Sequence, residues 1–196
     1  PRVEFFRHMD AANIDLKGFT EGFYKTLCSG HLAPVLETLK YLKHETNVWF
    51  EITTLLIPGE NDSMSEVEAL SRWILDHLGP DVPLHFTAFH PDWKMLDKPS
   101  SPPATVRAAR QIAREMGLRY VYTGNIHDPP GQTTYCRECG SVLIGRDWHE
   151  LTTWHLDAGG HCRTCGTLCA GVFESRPGQW GRRRLPLRVR PEAIAL

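Results

Sequence analysis

The most specific chemistry in the sequence sits in two knuckles, Cys136-Arg137-Glu138-Cys139-Gly140 and Cys162-Arg163-Thr164-Cys165-Gly166, with 22 residues between them. Each Cys-x-x-Cys followed by glycine makes a tight turn that aims two thiolates at one ion. Two such turns supply the four sulfurs of a tetrahedral site, and structural zinc is the reading. A rubredoxin-like iron site or thiol redox chemistry would use the same residues. His161 and Cys169 are competing ligands, but the symmetric quartet is the simpler set. Four thiolates leave no open coordination position, so this site is expected to organise the fold rather than to catalyse. The module around it has almost no core of its own and is expected to need its metal to fold.

A second set of residues is spread along strands. In Asn13-Ile14-Asp15-Leu16-Lys17 the alternation puts Asn13, Asp15 and Lys17 on one face and Ile14 and Leu16 on the other. An Asp and a Lys two apart can form an edge-strand ion pair or grip a zwitterionic ligand. Glu51 is the one formal charge in the strand expected over Val48 to Ile57, and a buried carboxylate there would need a partner. His90 closes the strand expected over Leu84 to Phe89.

These residues must be positioned by regular elements, and the pattern supplies them. Helices are expected from about Ala33, with Pro34 in the first turn, over the stripe Val67, Leu70, Ile74 and Leu78, and over Ala104 to Met116. Ser65 with Glu68 reads as the capping box of the second. The β-branched and aromatic density of Val48 to Ile57 predicts a strand buried on both faces. Tyr120-Val121-Tyr122 is a fourth short strand. The alternation βαβαβαβ specifies a parallel sheet with right-handed crossovers, in which function gathers at the C-terminal ends of the strands. At Ile126 to Gly131 the composition shifts from helical stripes to Cys, Gly and Thr, which marks a domain boundary.

With 41% hydrophobic and 23% charged residues the chain is an ordinary globular one, and a formal net charge of -1 gives no global field toward nucleic acid or membrane. No apolar run approaches the roughly 18 residues needed to span a bilayer. The first residues lack the apolar stretch of a signal peptide. A cytoplasmic chain would keep its 6 cysteines reduced, which favours metal over disulfides. The arginines at 182–184, 188 and 190 form a basic tail, expected to be solvated and disordered, and only Trp180 accompanies them as an aromatic platform for nucleic acid.

The ordered series Ile14-Asp15-Leu16-Lys17-Gly18, Trp49 to Gly59, His85 to Pro91, Tyr122 to Asn125 and the two knuckles with Gly171-Val172-Phe173 resembles the radical SAM enzymes related to pyruvate formate-lyase activating enzyme. Within them it is most similar to the AmmeMemoRadiSam-system type. The resemblance implies an α/β fold, the C-terminal half of a (β/α)6 partial TIM barrel over residues 1–128. A zinc-ribbon-like module would follow over 129–175, and the basic tail over 176–196. It implies S-adenosylmethionine as a cofactor, with Asp15 and Lys17 near its methionine end and His90 near its adenosine. Where the activating enzymes carry an arginine, this chain has Glu51, a departure shared with the AmmeMemoRadiSam type. A [4Fe–4S] cluster would also be required, yet the Cys-x3-Cys-x2-Cys triplet that holds it is not in this sequence. The start at Pro1 fits an incomplete chain whose cluster-bearing half lies elsewhere.

The resemblance further implies a protein or small-molecule substrate and a reductant for the cluster. Two other functions fit the residues. One is a zinc-ribbon module binding nucleic acid or protein on an α/β support. The other is a different half-barrel enzyme with Glu51 and His90 as an acid–base pair.

Overall fold

The structure, a computed structural model, describes residues 1–178. The arginine-rich stretch and Trp180 lie outside those residues. Four parallel strands run side by side in chain order: β1 (Ala11–Asp15), β2 (Trp49–Leu56), β3 (Leu84–Ala88) and β4 (Val121–Gly124). Around them lie α1 (Arg2–Phe6), α2 (Glu21–Leu27), α3 (Leu32–Glu45), α4 (Met64–Leu78) and α5 (Pro103–Glu115). After α6 (Pro129–Gln132), β5 (Thr134–Tyr135), β6 (Val142–Asp147) and β7 (Glu150–Trp154) form a second, antiparallel sheet. Val142-Leu143-Ile144 opens the β6–β7 hairpin there.

Strand order and handedness decide which face is covered. Right-handed crossovers between successive neighbours all return on the same side of a sheet. So α3, α4 and α5 cover one face only. On that face Phe50, Ile52, Leu56, Leu84 and Phe86 are buried against Leu39, Val67, Leu70, Ile74, Leu78 and Val106. Each such side chain contributes about 1.5–3 kcal/mol of burial. The opposite face carries Asn13, Asp15, Glu51, Thr53, His85, Thr87 and Tyr122, and it is exposed or half-buried. β2 therefore differs from the two-faced burial its composition predicts. Its burial alternates strictly along the strand, because among the described residues no helix returns over Glu51 and Thr53.

Helix ends shift by a residue or two from the sequence pattern. The cap of α4 is Ser63, whose Oγ accepts from the Glu66 N–H, not Ser65 with Glu68. The Glu66 carboxylate is drawn away to accept from the Phe19 N–H at 2.6 Å, which ties the loop after β1 to α4. β1 begins two residues earlier than expected and ends at Asp15, so Lys17 lies just beyond it.

That loop is fixed by Asn61, which is 2% exposed. Its Oδ1 accepts from the Ile57 N–H at 2.6 Å, and its Nδ2 donates to the carbonyls of Lys17 and Leu55, the latter at 2.8 Å. The Lys17 N–H in turn donates to the Tyr24 hydroxyl at 3.1 Å. One buried amide thus holds the ends of β1 and β2 in register. Asn61→Ala is expected to cost about 2–4 kcal/mol in urea denaturation, because it strands buried backbone groups. Asn61→Asp should also destabilise, since a carboxylate cannot donate to the two carbonyls. A loss under roughly 1 kcal/mol for both would show that the amide is not the clamp.

Candidate functional site

Two chemical centres emerge, and they meet at β4. The first is the cysteine quartet. The sulfurs of Cys136, Cys139, Cys162 and Cys165 all lie within 4.8 Å of one another. Cys136 and Cys165 are 3.5 Å apart, and Cys139 and Cys162 are 3.7 Å apart. A disulfide would bring two sulfurs to about 2.05 Å. A tetrahedral ion with sulfur at about 2.3 Å has S···S edges of about 3.8 Å, which these separations match. The quartet is a site that can hold a metal ion.

Each knuckle has one buried and one exposed thiol: Cys136 and Cys162 inside, Cys139 and Cys165 outside. A hydrogen bond with Ser141 brings Cys139 down to about 6, and one with Thr167 lowers Cys165. Burial pushes Cys136 up to about 11, so a metal must displace a proton the thiol otherwise keeps. His161 is engaged by Asp157, and Cys169 is buried beside Tyr120, so neither belongs to the quartet.

The second centre is the open face of the parallel sheet. Lys17 Nζ and Asp15 Oδ2 are 2.7 Å apart, and both side chains are about half exposed, at 49% and 52%. Glu51 is not adjacent to that pair. Its Oε2 lies 2.6 Å from His85 Nε2, and the Trp49 indole N–H donates to its Oε1 at 3.3 Å. The hydrogen bond with His85 holds the Glu51 carboxyl below the ordinary carboxylate range, against its burial, and the Arg146 charge adds to the effect. His85 stacks on Tyr122 with ring centroids 5.0 Å apart, and burial raises the Tyr122 phenol. His90 is exposed beyond the end of β3, and no hydrogen bond or ion pair joins it to Asp15, Lys17 or Glu51.

The pairing of Glu51 with His85 was open to inference from the sequence only through the carboxylate's need for a partner. The partner's identity follows from register. Thr53 pairs with His85, so the inward side chains of β2 and β3 meet one pleat apart.

The two centres are joined through β4. Tyr120 and Tyr122 pack into the core of the cysteine module with Leu143, Ile144, Leu156 and Cys169. The Ala170 N–H donates to the Tyr120 hydroxyl at 3.1 Å, and Tyr122 Oη lies 2.8 Å from Thr134 Oγ1. The segment where composition shifts is fastened as well. Asp128 accepts from Thr123 at 3.0 Å and pairs with Arg107 at 3.3 Å. A Cβ on Gly131 would come within 2.2 Å of that Thr123 oxygen, so only glycine fits over the pair.

No protein-family model matches the chain. An uncharacterized protein of Methanocaldococcus jannaschii is 42% identical over 159 residues, which is 81% of this chain and 47% of that protein. The chain thus spans about half the length of that relative. A solved domain of a pyruvate-formate lyase-activating enzyme from Bacteroides vulgatus matches with a TM-score of 0.54. The match covers 63% of this chain and 73% of that one at 18% identity, a likeness of fold. Among the described residues, no helix is long and apolar enough to cross a membrane.

Two outcomes test these centres. Metal analysis should find one tightly held ion per chain, lost in Cys136→Ser or Cys162→Ser; a full equivalent retained in either variant would remove the quartet as its ligand set. Glu51 is held low in the folded state. Its stabilisation is therefore complete above the unfolded carboxyl value near ~4.3 and is lost as pH falls through the lower folded value. Both partners are about a third exposed, so screening limits the pair to under about 1 kcal/mol. In urea titrations the wild type should exceed Glu51→Gln by up to about that amount at neutral pH, with the gap closing below pH ~4. A gap constant down to pH ~3.5 would deny the pair this role.

Proposed function

We propose that this chain forms the second half of a (β/α)6 partial barrel in a radical SAM enzyme of the AmmeMemoRadiSam type. Residues 1–128 would form the half-barrel and 129–175 a zinc-ribbon-like module. The observation that carries the reading is the uncovered polar face of a parallel sheet, with Asp15 and Lys17 at the C-terminal end of its first strand. Parallel sheets are ordinarily covered on both faces, so this face is built to line an interior. The likeness of fold to the activating-enzyme domain supports the architecture.

The residues present fit the methionine end of S-adenosylmethionine. The Asp15 carboxylate and the Lys17 ammonium form an accessible pair of opposite charges, complementary to a zwitterion's ammonium and carboxylate. Lys17 is held from both sides of its backbone, by Tyr24 and Asn61, so its side chain leaves from a fixed point. His90, exposed at the next strand end but one, is placed for the adenosine, and Glu51 borders this wall through His85. When bound beside a [4Fe–4S] cluster, S-adenosylmethionine supplies a 5′-deoxyadenosyl radical for hydrogen abstraction from a protein or small-molecule substrate. The cluster's cysteines and its reductant would come from outside these residues. This chain's share is to bind and orient the cofactor and to exclude water. The quartet's fit to a tetrahedral tetrathiolate, with no open position, favours structural zinc.

The purified chain should bind S-adenosylmethionine in equilibrium dialysis, and Asp15→Asn and Lys17→Ala should each weaken binding at least tenfold. Binding unchanged in both variants would overturn the assignment. Incubated anaerobically with dithionite, the chain should release no 5′-deoxyadenosine; its detection would refute the need for an external cluster.

A second reading has one observation of its own. A cleft of about 710 Å³ between α5 and the first knuckle is lined by Arg110, Arg114, Arg119 and Arg137. Burial lowers the Arg110 guanidinium from its ordinary value, and the neighbouring Arg114 charge adds to the effect. A zinc-ribbon module recognising a polyanion would use such a surface. A salt-dependent gel shift with single-stranded nucleic acid would support that reading, and its absence at low salt would exclude it.

A further inference from the structure

The β6–β7 hairpin of the cysteine module leans over the open face of the parallel sheet. Between the two lies a cleft of about 460 Å³, within the range of small-molecule sites. Glu51, His85 and Tyr122 form its floor, and Arg146, Trp148 and His149 of the hairpin form its opposite wall.

Three features of the wall bear on what the cleft accepts. Arg146 is anchored through Nη1 alone among the described residues, donating to Thr134 Oγ1 at 2.8 Å and to the Gln132 carbonyl at 3.1 Å. Its guanidinium lies over the Tyr122 ring, 5.6 Å from the centroid. Its other N–H groups remain for a planar anion, which the guanidinium fork suits better than an ammonium would. Trp148 begins the two-residue turn of the hairpin with φ +54°, a conformation that glycine adopts at far lower cost. Its N–H donates to Gln132 Oε1 at 3.2 Å, and its indole is 45% exposed on the cleft. The fold thus sustains backbone strain to present an aromatic surface here.

The floor restricts the ligand's charge. Both Glu51 oxygens are already engaged, with His85 and with Trp49, and the Arg146 charge acts on the same carboxylate, so a cation would compete with groups already in place. Glu51 is ionised, so a dianion such as a phosphate would add repulsion that Arg146 alone does not offset. A monoanion matches Arg146.

We propose that this cleft binds an aromatic carboxylate, its carboxylate on Arg146 and its ring against Trp148 and the His85–Tyr122 stack. In the sheet register His85 is level with Thr53 and Asp15. Two strand spacings place the ligand roughly 10 Å from Asp15 along the same face. That it is the substrate end of the site rests on the S-adenosylmethionine reading; that it binds does not.

The test titrates the full, metal-loaded chain with 4-hydroxybenzoate, 4-hydroxybenzamide and acetate, followed by ligand-observed NMR. The carboxylate should bind saturably, and the amide and acetate at least tenfold more weakly. Trp148→Gly should keep or raise the thermal midpoint while weakening 4-hydroxybenzoate at least fivefold. Arg146→Gln should abolish the preference for carboxylate over amide. Should Arg146→Gln fail to fold, Arg146→Lys, which keeps the charge but not the fork, should narrow that preference. Equal binding of acid and amide, binding unaffected by Trp148→Gly, or no saturable binding of 4-hydroxybenzoate would each overturn the proposal. Asp15→Asn should leave 4-hydroxybenzoate affinity unchanged while weakening S-adenosylmethionine, so the two readings fail separately.

Discussion

The handedness of the crossovers is the constraint from which the rest of the molecule follows. Strands laid down in chain order with right-handed returns put every connecting helix on one side. The uncovered side must then be polar, lined by something else, or both. Here it is both. Its side chains are mostly Asn, Asp, Glu, Thr, His and Tyr, with Trp49 and Leu55 among them, and part of it lies under the hairpin of the second sheet. The chemical groups are therefore found on this face because the topology leaves it uncovered and without an apolar filling.

The cysteine module is bound to that face rather than appended to it. Tyr120 and Tyr122 belong to β4 or its approach, yet their rings complete the module's core. In the other direction Arg146 and Trp148 belong to the module, yet they wall a cleft floored by the sheet. The cysteine quartet's module and the open face thus share a strand. The knuckles, the hairpin and the cleft are parts of one continuous packing arrangement.

Much of this was legible in residue order. The helix stripe Val67, Leu70, Ile74 and Leu78 is buried as its spacing requires, because period 3.6 leaves few choices for an amphipathic helix. The quartet was legible because two knuckles of the same Cys-x-x-Cys-Gly pattern have one economical use. The pleat of Asn13 and Asp15 was legible from alternation alone, whereas Lys17 lies past the end of the strand. What was not legible depends on contacts distant in sequence. Glu51 could be seen to need a partner, but His85 becomes that partner only through strand register. The apolar run of β2 looked like a strand buried on both faces. Its Thr53 and Leu55 do not distinguish a helix-covered face from an open one. The cap of α4 is Ser63, and the Glu66 carboxylate that would complete its box is claimed by a loop 47 residues away. Asn61 gave no signal beyond membership of a turn, although it is the residue that joins two strand ends.

The hydrogen bond from Ala170 to the Tyr120 hydroxyl has a consequence for how the protein matures. Tyr120 is 4% exposed, and it is packed among side chains of the cysteine module. Until the knuckles are loaded, β4 would be left as a strand flanked by bare aromatic rings. Such a surface is what chaperones and proteases recognise in immature chains. Metal supply would then act as a checkpoint in biogenesis, and a cell short of the ion would lose this protein by turnover rather than accumulate it in an inactive form.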